Sequence, residues 1–527
     1  MTASSTPTPA DQPHGVTDFG ALRALLNRPP TRTRWDRLCA LLERAWEINQ
    51  RRTRDEWLPY VNAHLKSWPD DWRKCPGGWL DLRDPTRPLL SITRALSLSS
   101  TTGSHRERLE ALMSTPCWPH VRSLALPGQL LDDSTLELFL ESPPPALTHL
   151  DLRDHRLSPK AIRKLLTSDA GQALTSLDLS HHAPRQTTDA LCDALLDTSP
   201  PLVELKLRRL DLAPERLGAL LEFSPRLAHI DLSESNIGPA GIESLGDARA
   251  PESLTRLTLQ QDQLDRHAMT SLARCRLMQQ IEHLDLEFNM LGVSALALLL
   301  QHQYPRLKKL NLSLNGLRDR DIAPLVRAEG ICTLSHLDLS GNWIGAQGTR
   351  ALAHAQNLAA LEQLHLNSND LGPLGAHELA RTTTLRNLSV LSLGLNHLTP
   401  EGARALARGH LSRQLRELKL ERNDLRDAGV KELVHGEILS HLKKLNLQGN
   451  DLTRRAAALF SSSEDALSLE HLNLSFNPHI GTSGALRLVN APGLAKLERL
   501  DLHVCGVDAD VIRQVNIAPH LELFIRA

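Results

Sequence analysis

Apolar residues recur in this chain with a spelling that repeats as a block. From Val121 onward the order L-x-x-L-x-L-x-x-N-x-L returns, most cleanly at Leu307, Leu310, Leu312, Asn315 and Leu317, at Leu334, Leu337, Leu339, Asn342 and Ile344, and at Leu361, Leu364, Leu366, Asn369 and Leu371. The first apolar position of successive copies falls at Val121, Leu147, Leu174, Leu202, Leu227, Leu254, Ile281, Leu307, Leu334, Leu361, Leu388, Leu415, Leu442, Leu469 and Leu497. The fourteen intervals between Val121 and Leu497 give a mean period of 26.9 residues. A period of that size marks stacked supersecondary units, each able to bury its apolar edge only against the next. A sixteenth, degenerate unit is expected at Leu96 and Leu98.

Within a unit the spacing dictates the elements. In Leu337-Asp338-Leu339 two leucines flank one polar residue, so in a strand the leucines share one face and Asp338 takes the other. The asparagine that follows, at 289, 315, 342, 369, 396, 423, 450 and 477, carries both donors and an acceptor and suits unpaired backbone groups of neighbouring loops. Next, Ala403, Leu406 and Ala407 keep helical spacing, and small residues there let a helix lie close to the strands. Parallel strands stack about 4.8 Å apart and helices need roughly 10 Å between axes, so the stack must curve. The expected fold is an α/β solenoid, a curved horseshoe with a parallel concave sheet and convex helices, preceded by a small helical N-terminal cap. About fifteen strands make an inner arc on the order of 70 Å, ample for an interface of about 800 Å² per partner.

The N-x-[LI]-[GT]-x-x-G-A-x-x-L-A spelling from Asn396 to Ala407, slightly varied from Asn342 to Ala353, resembles the ribonuclease-inhibitor-like class of leucine-rich repeats. The resemblance covers Val121 to Leu502 and implies a horseshoe that binds proteins, as in ribonuclease inhibitor, Ran GTPase-activating proteins and the GALA type of bacterial effector. Departures concentrate in the first half, where Gln129, His155, His182, Leu210, Ser235 and Asp262 replace the asparagine. Looser loops are expected between Val121 and Asp262. Cys505 replaces the last asparagine, and Leu521 to Ile525 reads as a truncated closing strand that helps cover the end of the stack.

The first ninety residues follow a different pattern. Residues 1–17 read as a disordered tail, rich in Thr, Ser and Pro and without the basic start and apolar stretch of a secretion signal. Residues 18–92 read as a helical cap and residues 93–527 as the repeat domain. Six of the eight tryptophans, Trp35, Trp46, Trp57, Trp68, Trp72 and Trp79, lie in the cap. Leu38, Leu41, Leu42 and Ala45 predict a helix over about 32–50, and a second is expected over 57–67 with Pro59 in its first turn. The tryptophans serve as core and cover for the first repeat, or else as part of a separate recruiting module. Arg51-Arg52-Thr53-Arg54 reads as a solvated helix end.

Composition narrows the function. Lys and Arg number 60 against 61 Asp and Glu, with a pI near 7.1, which argues against nucleic acid as a partner. Seven scattered cysteines without a C-x-x-C pair fit neither a disulfide framework nor a zinc site, and match a reducing cytoplasm. No apolar run is long enough to span a bilayer, so no membrane is expected. Phosphate-loop, dinucleotide, nucleophile-elbow and H-E-x-x-H motifs are missing; His377-Glu378 begins the last but meets Arg381 where the second histidine belongs. No enzyme, cofactor or metal is expected.

One row of residues stands out on the outward face. The third repeat position carries His149, His229, His283, His336 and His471, and Asp151, Asp231, Asp285 and Asp338 follow two residues after the first four. Lys309 intervenes between His283 and His336, leaving those two about 10 Å apart, too far to share a tetrahedral ion. The row is either duplicated repeat spelling on a wet surface or a partner-binding strip whose imidazoles titrate near neutral pH with help from the carboxylates. Phe288, Leu314, Leu395 and Phe476 put apolar groups near strand ends, either part-buried in loop packing or exposed as anchors. The expected partner-binding residues are His229, Asp231, His283, Asp285, Phe288, Lys309, Leu314, His336, Asp338 and His365. The expected protein is a monomeric, cytoplasmic bacterial scaffold or regulator with a protein partner on its concave face. The alternative is a GTPase-activator-like or ubiquitin-ligase-recruiting effector.

Overall fold

The computed structural model describes residues 16–76, 87–97, 105–126, 128, 131–155, 157–181, 185–462, 467–513, 518 and 521–525. Trp79, Leu98, Gln129 and His182 lie outside these residues, as do positions 1–15. The chain forms two compact units, Met1–Lys206 and Leu207–Ala527.

The first unit opens with helices Val16–Leu26 and Arg32–Ile48, a π-helical turn at Thr53–Trp57, and helix Leu58–His64 with Pro59 in its first turn. The first helix starts inside the expected tail because Phe19 is held there, its ring centroid 5.3 Å from those of both Trp57 and Tyr60. The Thr31 side chain accepts a bond from the Arg34 backbone N–H and so sets the second helix start. That helix buries Trp35, Leu38, Leu42 and Ala45. The indole of Trp35 donates to the carbonyl of Lys74 at 2.9 Å. Lys74 bridges Ala95 in parallel, so a tryptophan of the helical region is bonded to the segment lying along the edge of the first strand. The arginines at 51, 52 and 54 are each paired with Asp55 or Glu56, as a solvated helix end requires.

Five parallel strands follow in this unit: β1 Ala95–Ser97, β2 Ser123–Ala125, β3 His149–Asp151, β4 Ser176–Asp178 and β5 Glu204–Lys206. The second unit carries twelve: β6 His229–Asp231, β7 Arg256–Thr258, β8 His283–Asp285, β9 Lys309–Asn311, β10 His336–Asp338, β11 Gln363–His365, β12 Val390–Ser392, β13 Glu417–Lys419, β14 Lys444–Asn446, β15 His471–Asn473, β16 Arg499–Asp501 and β17 Glu522–Phe524. All are paired in parallel and in one register, so Leu284, Leu310, Leu337 and Leu364 form a line, each at most 2% exposed. The expected closing strand is β17, which pairs with β16, and the Arg499 guanidinium stacks 4.2 Å from the Phe524 ring. Helices such as Gly372–Ala380, Thr399–Arg408 and Arg426–Val434 pack against one another between successive strands.

The asparagines form the ladder that the spelling predicts. Asn342 donates from Nδ2 to the carbonyls of Leu312 and Leu339, and its Oδ1 accepts from the backbone N–H groups of Asn315 and Leu317. Each rung thereby satisfies groups of its own loop and of the preceding repeat, which buried backbone requires. Where asparagine is missing the loops are not uniformly looser. His155 is fully buried, with Nε2 bonded to the Leu126 carbonyl and Nδ1 accepting from the Leu131 N–H. Ser235 donates to Leu207 and accepts from the Leu210 N–H. The Cys505 thiol donates to the Leu474 carbonyl at 3.0 Å. Leu210 has no polar side-chain atom to contribute, and Asp262 does half the work, as described below.

Candidate functional site

A period of two along each strand turns the central leucine inward and the flanking residues outward. In the second unit these outward residues line an open hollow of about 250 Å³ over β7–β11, formed by Arg256, His283, Asp285, Lys309, Asn311, His336, Asp338 and His365. Six of the ten residues expected to bind a partner meet here: His283, Asp285, Lys309, His336, Asp338 and His365. His229 and Asp231 lie on β6, in register with Arg256 and Thr258 of β7, and do not line the hollow. Phe288 and Leu314 stand on the loops after β8 and β9, 48% and 43% exposed.

Register across strands fixes the charge pattern. Arg256, His283, Lys309 and His336 are direct neighbours along one row, and Thr258, Asp285, Asn311 and Asp338 along the next. The first row carries the cations Arg256 and Lys309, and the second the carboxylates of Asp285 and Asp338. Among the described residues Arg256 and Lys309 form no ion pair, while their side chains face solvent. Polar bonds hold the acidic side in place: Gln260 donates to Asp285 at 2.9 Å, and Asn311 donates to Glu287 at 3.2 Å. Burial, followed by the charges of Asp285 and Asp338, raises the Glu287 carboxyl above its ordinary range.

The imidazoles that line the hollow shift opposite to the sequence expectation. Burial is the first cause that lowers His283, His336 and His365 below the usual histidine value. Lys309 lowers His283 and His336 further, and Asp338 only partly offsets the burial of His365. The carboxylates two positions on were expected to favour the charged form, but the lysine beside the rings and their partial burial outweigh them. At neutral pH the hollow therefore presents two cations, neutral rings and carboxylates. The rings have specific partners: His336 Nδ1 with the Ser335 hydroxyl at 2.8 Å, and His365 Nδ1 with the Ser392 hydroxyl at 2.9 Å.

Arg256, Gln260, Glu287 and Asn311 were missed by the sequence reading. Arg256 and Asn311 share repeat positions with the singled-out histidines and aspartates, so position was the signal and residue type a poor substitute for it. Among the described residues no group of three His, Cys, Asp or Glu side chains is placed to hold a metal ion, and no helix is long and apolar enough to cross a membrane.

The first unit has its own hollow of about 400 Å³ over β1–β5, lined by Lys74, Ser123, His149, Asp151, Arg153, Asp178, Glu204 and Lys206 among others. Its carboxylates are paired on the spot with Arg153 and Lys206. Arg153 bonds Asp151 at 2.7 Å and lies 3.7 Å from Asp178, and Lys206 lies 3.2 Å from Glu204.

Short parallel strands at a 27-residue period, an asparagine ladder and helices between strands define the fold as a leucine-rich-repeat solenoid. A family model described as Leucine Rich repeat matches residues 330–353, 359–380, 384–407, 412–434, 439–459 and 466–489. The chain is 28% identical over 209 residues to NACHT, LRR and PYD domains-containing protein 5 of Bos taurus, a match covering 38% of this chain and 19% of that protein. It thus spans about a fifth of that relative's length. Among solved structures it is similar to the Rad7 and Elc1 complex of yeast, with TM-score 0.41, 16% identity and coverage of 65% of this chain and 88% of that one. It is also similar to an internalin (inlF) of Listeria monocytogenes, with TM-score 0.32, 18% identity and coverage of 67% and 80%.

Proposed function

We propose that the chain is a non-enzymatic scaffold or regulator that holds a protein partner across the outward face of β6–β11. The observation that carries this reading is the state of Arg256 and Lys309: two exposed cations, without an ion pair among the described residues, flanking neutral imidazoles in an open hollow. Unpaired charges fixed on a rigid sheet steer and orient a partner of complementary charge, and the surrounding polar groups discriminate against the wrong one. His229 and Asp231 extend the strip on β6. A reducing cytoplasm is the working compartment in this reading, in keeping with seven cysteines scattered along the sequence without a C-x-x-C pair.

The test is affinity capture from native lysate with the full chain, followed by titration of the purified captured protein. Arg256→Glu with Lys309→Glu weakens the partner about tenfold or more, since each reversal replaces attraction with repulsion. Lys206→Glu, in the self-paired face of the first unit, changes affinity less than about twofold. Equal loss from both variants, or none from the first, refutes the assignment of this face.

A further inference from the structure

Above the acidic row of the second unit lies an apolar ridge. Phe288 and Met290 stand on the loop after β8, Leu314 on the loop after β9 and Trp343 on the loop after β10, exposed by 48%, 84%, 43% and 68%. Polar pairs bound it along the stack: Gln261 and Gln263 on the loop before, Ser368 and Asp370 on the loop after. Phe288 and Leu314 occupy the residue just before the ladder asparagine, where the backbone is left-handed, with φ 60 and 57. Gly341 and Gly449 hold the same place in other repeats, with φ 67 and 64. Bulky side chains are disfavoured in that conformation, so these two sit in the open against a local conformational preference that glycine would meet.

The backbone beneath the ridge is continuous. The Phe288 N–H donates to the Ser313 carbonyl at 3.0 Å and the Leu314 N–H to the Ser340 carbonyl at 2.9 Å, which carries the strand spacing of about 4.8 Å into the loops. An α-helix advances about 5.4 Å per turn, so one laid along the stack brings one side chain per turn to each successive loop. Beside the ridge run Asp285, Glu287 and Asp338, none of which has an ion pair among the described residues. Phe476 and Val504 also neighbour each other before a rung, but Asp501 behind them is already paired with Arg499 at 2.8 Å.

We propose that the ridge of Phe288, Met290, Leu314 and Trp343 seats one amphipathic helix of a protein partner, with lysines or arginines on the flank facing Asp285, Glu287 and Asp338. This rests on the protein-binding reading and adds the chemistry of the bound segment. Apolar residues at i, i+4 and i+7 fill the ridge, and the basic flank relieves the mutual repulsion of the carboxylates.

The probe is a fluorescein-labelled, helix-forming peptide with leucines at i, i+4 and i+7 and a lysine flank, titrated by anisotropy against the full chain. A glutamate-flanked twin binds about tenfold more weakly or worse. Phe288→Gly with Leu314→Gly reduces affinity about tenfold or more without lowering the melting temperature, because glycine suits a positive φ. Glu287→Gln with Asp338→Asn weakens binding roughly threefold and flattens its salt dependence. Lys206→Glu in the first unit leaves peptide affinity unchanged within about twofold, and a loss of peptide binding while the captured partner still depends on Arg256 and Lys309 removes the helix seat and not the face. Absence of peptide binding, equal affinity for the glutamate twin, or unchanged affinity in the double glycine variant each overturns the proposal. So does self-association of the chain that the glycine variant abolishes, which would assign the ridge to a second copy.

Discussion

The ladder positions before Asn289 and those from Asn289 to Asn477 occupy one structural slot with different chemistry. The slot needs a donor for a preceding carbonyl and an acceptor for a preceding loop N–H. Asparagine supplies both at any pH. His155 supplies both only while neutral, and Ser235 supplies both with a single hydroxyl. Asp262 accepts from the Ser235 N–H at 2.7 Å through Oδ1, while its Oδ2 is buried without a partner where an asparagine would present its NH₂. Burial, with Asp231 adding its charge, pushes the Asp262 carboxyl up to about 8. The slot thus dictates a hydrogen-bonding pattern more strictly than a residue type, and acids and imidazoles fill it at the cost of pH dependence.

Removing a regular rung has the largest effect. Asn342→Ala strands the Leu312 carbonyl and the N–H groups of Asn315 and Leu317, while the Leu339 carbonyl keeps Asn369, and stability falls by about 3 kcal/mol or more in urea denaturation. A loss as small as that of a surface substitution breaks the ladder account. Asp262→Asn works in the opposite direction. The folded carboxyl holds its proton up to about pH 8 and the unfolded one releases it near 4, so native stability declines as pH rises through that window. The variant is more stable by a few kcal/mol at pH 8, gains almost nothing near pH 4, and has a flatter stability–pH curve. An equal gain at both ends of the range shows that Asp262 does not carry the proton.

The smallest effect belongs to His155. Burial lowers its pKa in the folded state, so the unfolded state binds the proton first and stability falls as pH drops below the ordinary histidine value. His155→Asn preserves both bonds and removes that acid-side loss, while changing stability little at pH 8. Thermal melts at pH 5 and pH 8 read this directly, and an acid-side loss that survives the substitution assigns it elsewhere.

The line of Leu284, Leu310, Leu337 and Leu364 and the asparagine rungs were legible in the sequence because a fixed period leaves each side chain one direction to face. The candidate face was legible by position and only partly by residue. His283 and His336 drew attention as histidines, yet their state is set by Lys309 between them and by burial, which depend on strands one and two repeats away. Arg256 went unnoticed because no histidine marked it. The exposure of Phe288 and Leu314 could not be read either, since the spelling does not state the left-handed backbone that the described residues before a rung adopt and that keeps their side chains out of the core.

The regular rungs also explain why a ridge can stand on loops. Asn315 accepts from the N–H groups of Asn289 and Leu291, fixing the backbone on both sides of Met290. A partner therefore meets a surface already ordered, and little entropy is lost on docking. The measurement that tests this most directly is hydrogen–deuterium exchange of the full chain with and without its captured partner. Added protection concentrated in residues 256–290 and 309–343 is the predicted result. Protection confined to residues 16–76 or 123–206, with the β7–β11 segment unchanged, contradicts it.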